Sequence, residues 1–346
     1  MDFKNASFII DDIKKKLNEE LFGYPEPNDK DFIAIKNWMQ KQHLWKIDKN
    51  HIVLSNGVVG SISACIEAFS NKDDEIIIQP PVYYPFFDTV IQNNRKLIQN
   101  HLINDNGYYK MDLKDIEKKI TKKTKLLILC SPHNPVGRVY TKDELEKLAN
   151  ICIKNNILII SDEIHCDIVY DKFTPLASIN ENIANITITL NSPSKTFNIA
   201  GLTTSYAIIS NQNLREKYKK IAKKREITSL NTFGLVAMRS AYEKGDIWLK
   251  QLLDYLKSNI EFTKKYLEKH TKIKFKNPQC TYLLWLDFSE YNLSNRQIEK
   301  ILLKKAKVAL NNGKTFDQNS QSYFRLNIAL NKTKLQEALI KISQNF

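Results

Sequence analysis

The sequence predicts an α/β fold, in which a large domain with a mostly parallel sheet is joined to a smaller α+β domain. Short apolar runs rich in β-branched residues recur at 75–79, 125–130, 157–161, 186–190 and 205–209. Their near-continuous apolar character is typical of strands buried on both faces. Helical patterns lie between these runs, and the helix after 125–130 opens with a capping box at Thr141 and Glu144. Strands that alternate with helices favour parallel pairing.

Two helices are predicted before the first strand. Apolar residues recur at helical spacing from Ile9 to Leu21, so we expect a first amphipathic helix that ends at Gly23, just ahead of two prolines. A second helical pattern runs through 32–39. The first helix is expected to pack with the smaller domain.

The apolar pattern changes after about residue 211. Two long amphipathic helices are expected over roughly 211–240 and 246–269, followed by short strands near 282–286 and 323–328 and a last helix through Leu335. We therefore assign residues 26–240 to the large domain, and residues 1–25 together with 241–346 to the small domain.

Composition and charge limit the class of protein. The 346 residues are 42% hydrophobic, which suffices for one large core and a smaller second one, and the net charge is +14. A charge of this size is compatible with nucleic-acid binding. The lysines are spread over many amphipathic helices and form no single basic stripe, however, so we expect a solvated surface and no nucleic-acid partner.

The cysteines and the apolar segments indicate in which cellular compartment the protein resides. Five cysteines are an odd number, and no CxxC motif occurs, which argues against a disulfide framework or a zinc site. No apolar run is long enough to span a membrane, and the first residues lack the basic and then apolar pattern of a signal peptide. We expect a cytoplasmic protein without a membrane partner or a bound metal.

Polar residues stand where three of the predicted strands end. Asn134, Asp162 and Lys195 come shortly after the second, third and fourth of the apolar runs, and His165 follows Asp162 closely. In an open parallel sheet, ligands bind outside the carboxyl ends of the strands. An amide, a carboxylate and an amine are therefore expected to converge on one pocket.

This set of groups suits pyridoxal phosphate (PLP). The amine of Lys195 can form a Schiff base with an aldehyde and later move a proton. Asp162 can keep the pyridine nitrogen protonated, so that the ring accepts electrons from a carbanion. Asn134 can donate a hydrogen bond to the phenolate oxygen of the ring.

The phosphate and the face of the ring also have candidate partners. A phosphate binds the free N–H groups at a helix start, and Gly57, Val58 and Val59 open a predicted helix. Ser192 and Ser194 add hydroxyl donors near Lys195. Tyr83, after the run at 75–79, can lie flat on the pyridine ring.

Each of these motifs alone has a simpler explanation. A lysine after a strand is usually a surface residue, an aspartate there is often a helix N-cap, and Asn-Pro marks a turn in most sequences. The prediction of a PLP enzyme depends on their joint occurrence in strand order.

Longer segments resemble a known family. FGYP at 22–25, QPPVYYPF at 79–86, LCSPHNPVGR at 129–138, DEIH at 162–165, PSKTFNIAG at 193–201 and FRLN at 324–327 are similar to the class I/II aminotransferase superfamily of PLP fold type I. Within it, the sequence resembles the MalY/PatB group of cystathionine β-lyases. The resemblance implies a seven-stranded, mostly parallel sheet sandwiched by helices, and a homodimer with shared active sites.

The resemblance also implies roles for matched residues. They are Lys195 as the Schiff-base lysine, Asp162 at the pyridine nitrogen, Asn134 and His165 near the phenolate oxygen, Tyr83 on the ring, and Gly57, Val58, Val59, Ser192 and Ser194 at the phosphate. Tyr24 would reach the phosphate of the neighbouring subunit. Arg325, with Asn134, would bind the α-carboxylate of a small amino-acid substrate as a bidentate partner.

Two departures from the family pattern stand out. Family members usually have a few dozen more residues before the segment that matches Met1. Asp317 and Ser320 stand where the family has glycine, a residue that permits positive φ. We therefore expect the loop beside Arg325 to be shaped differently.

The resemblance implies α,β-elimination from an S-substituted L-cysteine such as L-cystathionine. Lys195 would be the general base, Asp162 would keep the pyridine nitrogen protonated, and Tyr83 would stack on the ring. An aminotransferase would use the same residues and is not separated by these motifs. A third possibility is a PLP-binding regulatory protein that acts through a protein partner, because the MalY group includes members that restrain a transcription regulator.

Overall fold

The computed structural model describes all 346 residues and confirms the α/β class. The helices are α1 Ser7–Leu17, α2 Asp29–His43, α3 Val58–Phe69, α4 Pro85–Gln92, α5 Leu113–Lys119, α6 Lys142–Lys154, α7 Glu181–Ala184, α8 Gln212–Lys224, α9 Thr232–Lys244, α10 Asp246–His270, α11 Asn295–Lys300 and α12 Lys332–Ser343. The strands are β1 Ile52–Ser55, β2 Glu75–Ile78, β3 Lys96–Gln99, β4 Ile103–Asp105, β5 Tyr108–Lys110, β6 Thr124–Cys130, β7 Leu158–Asp162, β8 Thr187–Asn191, β9 Ser205–Ile208, β10 Leu283–Asp287, β11 Asn311–Asn312 and β12 Tyr323–Asn327.

A seven-stranded sheet in the order β1-β9-β8-β7-β6-β2-β3 forms the centre of the molecule. Neighbouring strands pair in parallel from β3 to β8, and β9 pairs antiparallel with both β8 and β1. All five apolar runs predicted from the sequence are strands of this sheet. The register places Cys130 opposite Asp162, and Asp162 opposite Leu190. The carboxyl ends of β6, β7 and β8 are therefore level with one another.

Helices cover both faces of this sheet. On β6, Leu126 and Ile128 pack in a buried cluster that includes residues of α3, α4 and α8. Leu127 and Leu129, which point the other way, pack with residues of α5 and α6. Burying each such side chain contributes about 1.5–3 kcal/mol. This two-sided burial explains why the sequence of the strand is continuously apolar.

A second, three-stranded antiparallel sheet has the order β10-β12-β11. Leu284 and Phe324 from its strands are buried with Leu339 of α12 and with residues of α10. The strands predicted near 282–286 and 323–328, and the last helix, are confirmed. The sheet matters for the site because Arg325 lies on β12.

Two helix predictions are wrong. Helix α1 ends at Leu17 and not at Gly23, and both Leu17 and Leu21 are exposed, so no packing supports a longer helix. The helix expected over roughly 211–240 is two helices, α8 and α9. Between them the chain turns at Glu226, which adopts a left-handed conformation with φ 56°. The carbonyl of Ile227 then accepts a hydrogen bond from the N–H of Asn56, which fixes the connection against the start of α3.

The first helix lies on the large sheet, which contradicts the expected packing with the small domain. Ile9 is fully buried in a cluster with residues of β1, β9 and α9. The segment before the helix contacts the small sheet, where Met1 and Phe3 pack against its buried cluster. The domain limits at 26–240 and at 1–25 with 241–346 remain a prediction. Among the helices, none combines the length and the apolar character needed to cross a membrane.

Candidate active site

A cavity of about 400 Å³ opens at the carboxyl ends of β6, β7 and β8. Its volume falls within the roughly 300–1,000 Å³ typical of small-molecule sites. Nine residues predicted from the sequence line it: Val58, Val59, Tyr83, Asn134, Asp162, His165, Ser194, Lys195 and Arg325. The level strand ends thus bring the amide, the carboxylate and the amine into one cavity. A larger cavity near Trp285 contains none of these groups.

Lys195 lies in the tight turn that follows β8. The backbone of this turn is held by hydrogen bonds from Phe197 N to Pro193 O and from Ile199 N to Ser194 O. Burial lowers the pKa of the Lys195 amine below its ordinary value, and the positive charge of Arg325 adds to this, whereas Asp162 opposes it. The amine is therefore a better nucleophile than a solvated lysine.

Asp162 ends β7 and is buried, with 4% of its surface exposed. Burial raises the pKa of its carboxyl to about 6, although a hydrogen bond from the N–H of Ile164 and the charge of Lys195 both oppose the rise. One oxygen accepts that bond at 3.1 Å. One hydrogen bond and one nearby positive charge only partly offset the cost of burying this carboxylate. The site therefore suits a ligand that brings a cationic N–H.

Arg325 reaches the cavity from β12. Its guanidinium donates to Asn134 Oδ1 at 2.8 Å and to Asn311 Oδ1 at 2.9 Å, and it lies 4.7 Å from the centre of the Phe316 ring. Its buried Nε has no hydrogen-bond partner. Both of its partners are neutral amides, so its charge remains available to an anionic ligand.

Sequence reasoning missed Asn311, which contacts Arg325. It pairs directly with Arg325 in the register of β11 and β12. A two-residue strand of asparagines carries no apolar pattern, so only the pairing itself reveals the contact. Tyr84 and Tyr282 also line the cavity and were not predicted; Tyr282 lies edge-on to the ring of His165.

His165 and Tyr83 complete the walls. His165 is buried, and its Nδ1 has no hydrogen-bond partner within the chain. Burial, and then the charges of Lys195 and Arg325, lower the pKa of His165 to about 3, so the ring is neutral. Tyr83 is half-buried, and burial raises the pKa of its hydroxyl. The orphaned His165 nitrogen is a buried group that a ligand can satisfy.

The start of α3 forms another part of the cavity wall. Gly57 precedes the helix with φ 147°, a backbone angle that side chains rarely adopt. Its N–H donates to Ser205 Oγ, while Val58 and Val59 line the cavity. The first N–H groups of a helix lack partners within the helix and can bind anions.

Three predicted residues do not line this cavity. The Ser192 hydroxyl is already engaged, since it donates to Thr204 O at 2.6 Å and accepts from Ser194 N at 3.1 Å, so it shapes the turn and is no free donor. Gly57 also lies just outside the cavity lining. Tyr24 does not line the cavity and is fully exposed.

The loop beside Arg325 does not need glycine at the two altered positions. Neither Asp317 nor Ser320 has a positive φ, so neither position requires the backbone freedom of glycine. The close approach occurs at Gly313, where an added Cβ would meet the Ser320 carbonyl oxygen at 2.3 Å. Asp317 instead accepts from His101 Nδ1 at 3.2 Å, which ties this loop to the chain after β3.

The fold and this cavity together define a class of protein. A seven-stranded, mostly parallel sheet whose strand ends gather a lysine, a carboxylate and an amide is that of a fold type I enzyme. The profile of the family "Aminotransferase class I and II" matches residues 2–342, and the chain belongs to this family.

Known relatives confirm the resemblance to the MalY/PatB group. Cystathionine beta-lyase PatB of Bacillus subtilis strain 168 is 37% identical over 346 residues, which is 99% of this chain and 89% of PatB. Protein MalY of Escherichia coli K12 is 32% identical over 343 residues, which is 98% of this chain and 88% of MalY. A PLP-bound candidate aminotransferase from Clostridium difficile 630 superposes with a TM-score of 0.97 at 46% identity, covering 99% of this chain and 89% of that one.

The raised pKa of Asp162 predicts a pH-dependent effect on stability. Because the pKa in the folded state is about 6 and the ordinary value is 3.8, the charge of Asp162 begins to oppose folding above pH 3.8 and does so fully above about pH 6. Asp162→Asn should therefore stabilise the cofactor-free protein by about 1–3 kcal/mol near neutral pH. The gain should shrink as the pH falls from 6 towards 3.8, where native Asp162 takes up a proton.

Urea unfolding across this pH range measures the effect. The exposed Asp254→Asn is the matched control and should change stability by less than about 0.5 kcal/mol at every pH. A gain for Asp162→Asn that does not vary with pH would contradict the assignment of the buried charge.

Proposed function

We propose that the chain is a PLP-dependent carbon–sulfur β-lyase that cleaves L-cystathionine or related S-substituted L-cysteines. The products are a thiol, pyruvate and ammonia, and one water is consumed. The observation that carries the proposal is the meeting of Lys195, Asp162 and Arg325 in one cavity of a chain that matches PatB along its whole length.

The residues present fit PLP, which relatives of this chain hold. Lys195 offers the amine for the aldehyde, Asp162 a buried carboxylate for the pyridine nitrogen, and Asn134 with His165 polar atoms for the phenolate oxygen. Tyr83 lies at the wall where a ring face would rest. Ser194 and the N–H groups that open α3 suit the phosphate. The bound cofactor supplies an electron sink for the carbanion that forms at Cα of the substrate.

The chain's own residues account for the remaining requirements of the elimination. Arg325 binds the α-carboxylate, which fixes the Cα–H bond relative to Lys195. The Lys195 amine removes the Cα proton, and burial lowers its pKa, which favours the uncharged form that can act as a base. Asp162 would hold the proton on the pyridine nitrogen, because a buried negative charge next to that atom favours its protonated form. The electron pair from Cα then expels the thiolate from Cβ.

An aminotransferase is the second candidate. The similarity to the Clostridium difficile protein, at 46% identity, favours it. The two reactions share proton removal by Lys195 and differ in the next step: the aminotransferase returns a proton to the cofactor carbon, whereas the lyase loses a group from Cβ. Pyruvate from L-cystathionine without an added keto acid marks the lyase.

We also propose a homodimer in the cytoplasm. Leu21, Phe22 and Tyr24 are exposed by 73%, 57% and 101%, which is an unusual apolar surface for a free monomer and supports contact with a second copy. All five cysteines are buried free thiols, as is usual in a reducing compartment.

Lys195→Ala tests the central claim. Wild-type protein supplied with PLP should show a visible absorbance band and release pyruvate from L-cystathionine. The variant should lose the band and at least about a hundredfold in rate, because it lacks both the bond to the cofactor and the base. The exposed Lys30→Ala is the control and should behave as wild type. A wild-type protein that takes up no PLP would refute the proposal, and transamination without pyruvate would replace the lyase by the aminotransferase.

Arg325→Lys tests carboxylate binding. A lysine cannot form the bidentate pair, so KM for L-cystathionine should rise about ten- to a hundredfold, with a smaller change in kcat. The exposed Arg296→Lys should leave both constants unchanged. An unchanged KM in Arg325→Lys would show that another group binds the carboxylate.

Tyr24→Phe tests the shared site. Light scattering should give twice the chain mass of 40.2 kDa for wild type and variant alike. The dissociation constant of PLP should rise about three- to tenfold in the variant, because one phosphate hydrogen bond is lost. Tyr108→Phe serves as the control. A monomeric mass, or an unchanged PLP affinity, would place Tyr24 outside the site.

A further inference from the structure

Asp167 is a buried carboxylate beneath the Lys195 turn. Only 6% of the residue is exposed, and its carboxylate accepts hydrogen bonds from four side chains. The longest comes from the Cys166 thiol, which donates to Oδ1 at 3.6 Å. Trp38 Nε1 lies at 3.0 Å and His43 Nε2 at 2.8 Å from Oδ1, and Thr196 Oγ1 donates to Oδ2 at 2.8 Å. None of these residues lines the proposed active-site cavity.

The bonds around Asp167 suit an anion. Burial alone would raise the pKa of Asp167, but the bonds from His43, Thr196 and Trp38 outweigh it, and the pKa lies below its ordinary value. His43, Cys166 and Asp167 are close enough to one another to hold a metal ion. However, the Trp38 N–H points at Asp167, and the Asn191 amide points at Cys166 Sγ at 3.0 Å. Donors directed at both atoms are expected around a carboxylate and a thiol, and not around a cation.

The Thr196 bond joins the two segments that carry the reacting groups. Thr196 directly follows Lys195 in the turn after β8. Asp167 stands on the turn after β7, five positions beyond Asp162, and that turn is fixed by bonds from Cys166 N to Glu163 O and from Ile168 N to His165 O. The Asp167–Thr196 bond is therefore a direct polar connection between the lysine segment and the aspartate segment.

The rest of the lysine turn is held by packing. Phe197 is fully buried, with its ring centre 5.6 Å from that of Trp38 and 5.4 Å from that of Trp248. An added Cβ at Gly245 would meet the Phe197 ring at 2.4 Å, so the ring packs directly against this glycine. Packing fixes the turn at Phe197, and the Thr196 hydroxyl fixes the residue next to the lysine.

We propose that Asp167 is a positioning residue, which through the Thr196 hydroxyl sets the placement of the Lys195 amine relative to Asp162. The inference rests on the proposed function, because it concerns the lysine that holds PLP and removes the proton. Asp167 itself touches neither cofactor nor substrate. Its loss should therefore affect proton removal more than substrate binding.

Thr196→Val removes the hydroxyl and keeps the shape of the side chain. Its kcat on L-cystathionine should fall about tenfold or more, with KM within about twofold, because the base is misplaced while Arg325 is untouched. The pH midpoint at which the visible band of the bound PLP titrates should also shift. Thr196→Ser retains the hydroxyl and should restore both properties.

Thr189→Val is the matched control. Thr189 is fully buried on β8, and its hydroxyl has no hydrogen-bond partner, so the same substitution there removes no bond. It should leave kcat and the titration midpoint as in wild type. If Thr196→Val fails to fold, Thr196→Ala replaces it, since alanine removes the hydroxyl without placing a methyl group against the carboxylate.

The outcomes separate the two proposals. If wild type binds PLP and releases pyruvate, but the Thr196 variant without a hydroxyl keeps the wild-type kcat and titration midpoint, the positioning role is overturned. It is overturned equally if Thr196→Ser behaves like Thr196→Val, or if Thr189→Val loses as much activity. If wild type takes up no PLP, the proposed function fails, and the positioning role falls with it.

Discussion

The parallel register of β6, β7 and β8 is the constraint on which the site depends. It sets Cys130 beside Asp162 and Asp162 beside Leu190, so three strands end at one level. Each strand needs a helical crossover to return in parallel, and those helices bury both faces of the sheet. The same geometry that demands apolar strands leaves their carboxyl ends as the place where polar groups meet. The site is a product of the topology and not of any single motif.

The cavity gathers charges that the fold alone would not favour. Asp162, Lys195 and Arg325 are all withdrawn from water, and burial shifts the pKa of each against its charged form. Within the chain, Arg325 is bonded only to neutral amides, and His165 keeps an orphaned nitrogen. These features disfavour the empty protein and favour a ligand with matching groups, which is the usual balance between stability and function at an active site.

The sequence predicted the elements that burial controls. The five strands were found because residues such as Leu127 and Ile128 must both be apolar when each faces a helix layer. The first helix was predicted to continue to Gly23 because the apolar spacing continues to Leu21. This was wrong, because Leu21 is 73% exposed and no packing stabilises a helix there. At the site, residue type located Lys195 and Asp162. The engagement of the Ser192 hydroxyl by Thr204, and the pairing of Asn311 with Arg325, depend on tertiary contacts that no local pattern encodes.

The hydrogen bond between Arg325 and Asn134 crosses from the small sheet to a loop of the large one. In the proposed function, the group that binds the carboxylate therefore belongs to one sheet, and the groups that act on Cα belong to the other. Ligand affinity and the relative orientation of the two sheets are thus thermodynamically linked. A substitution distant from the cavity that alters this orientation will change the apparent affinity. A residue whose substitution raises KM can therefore act through this orientation without touching the substrate.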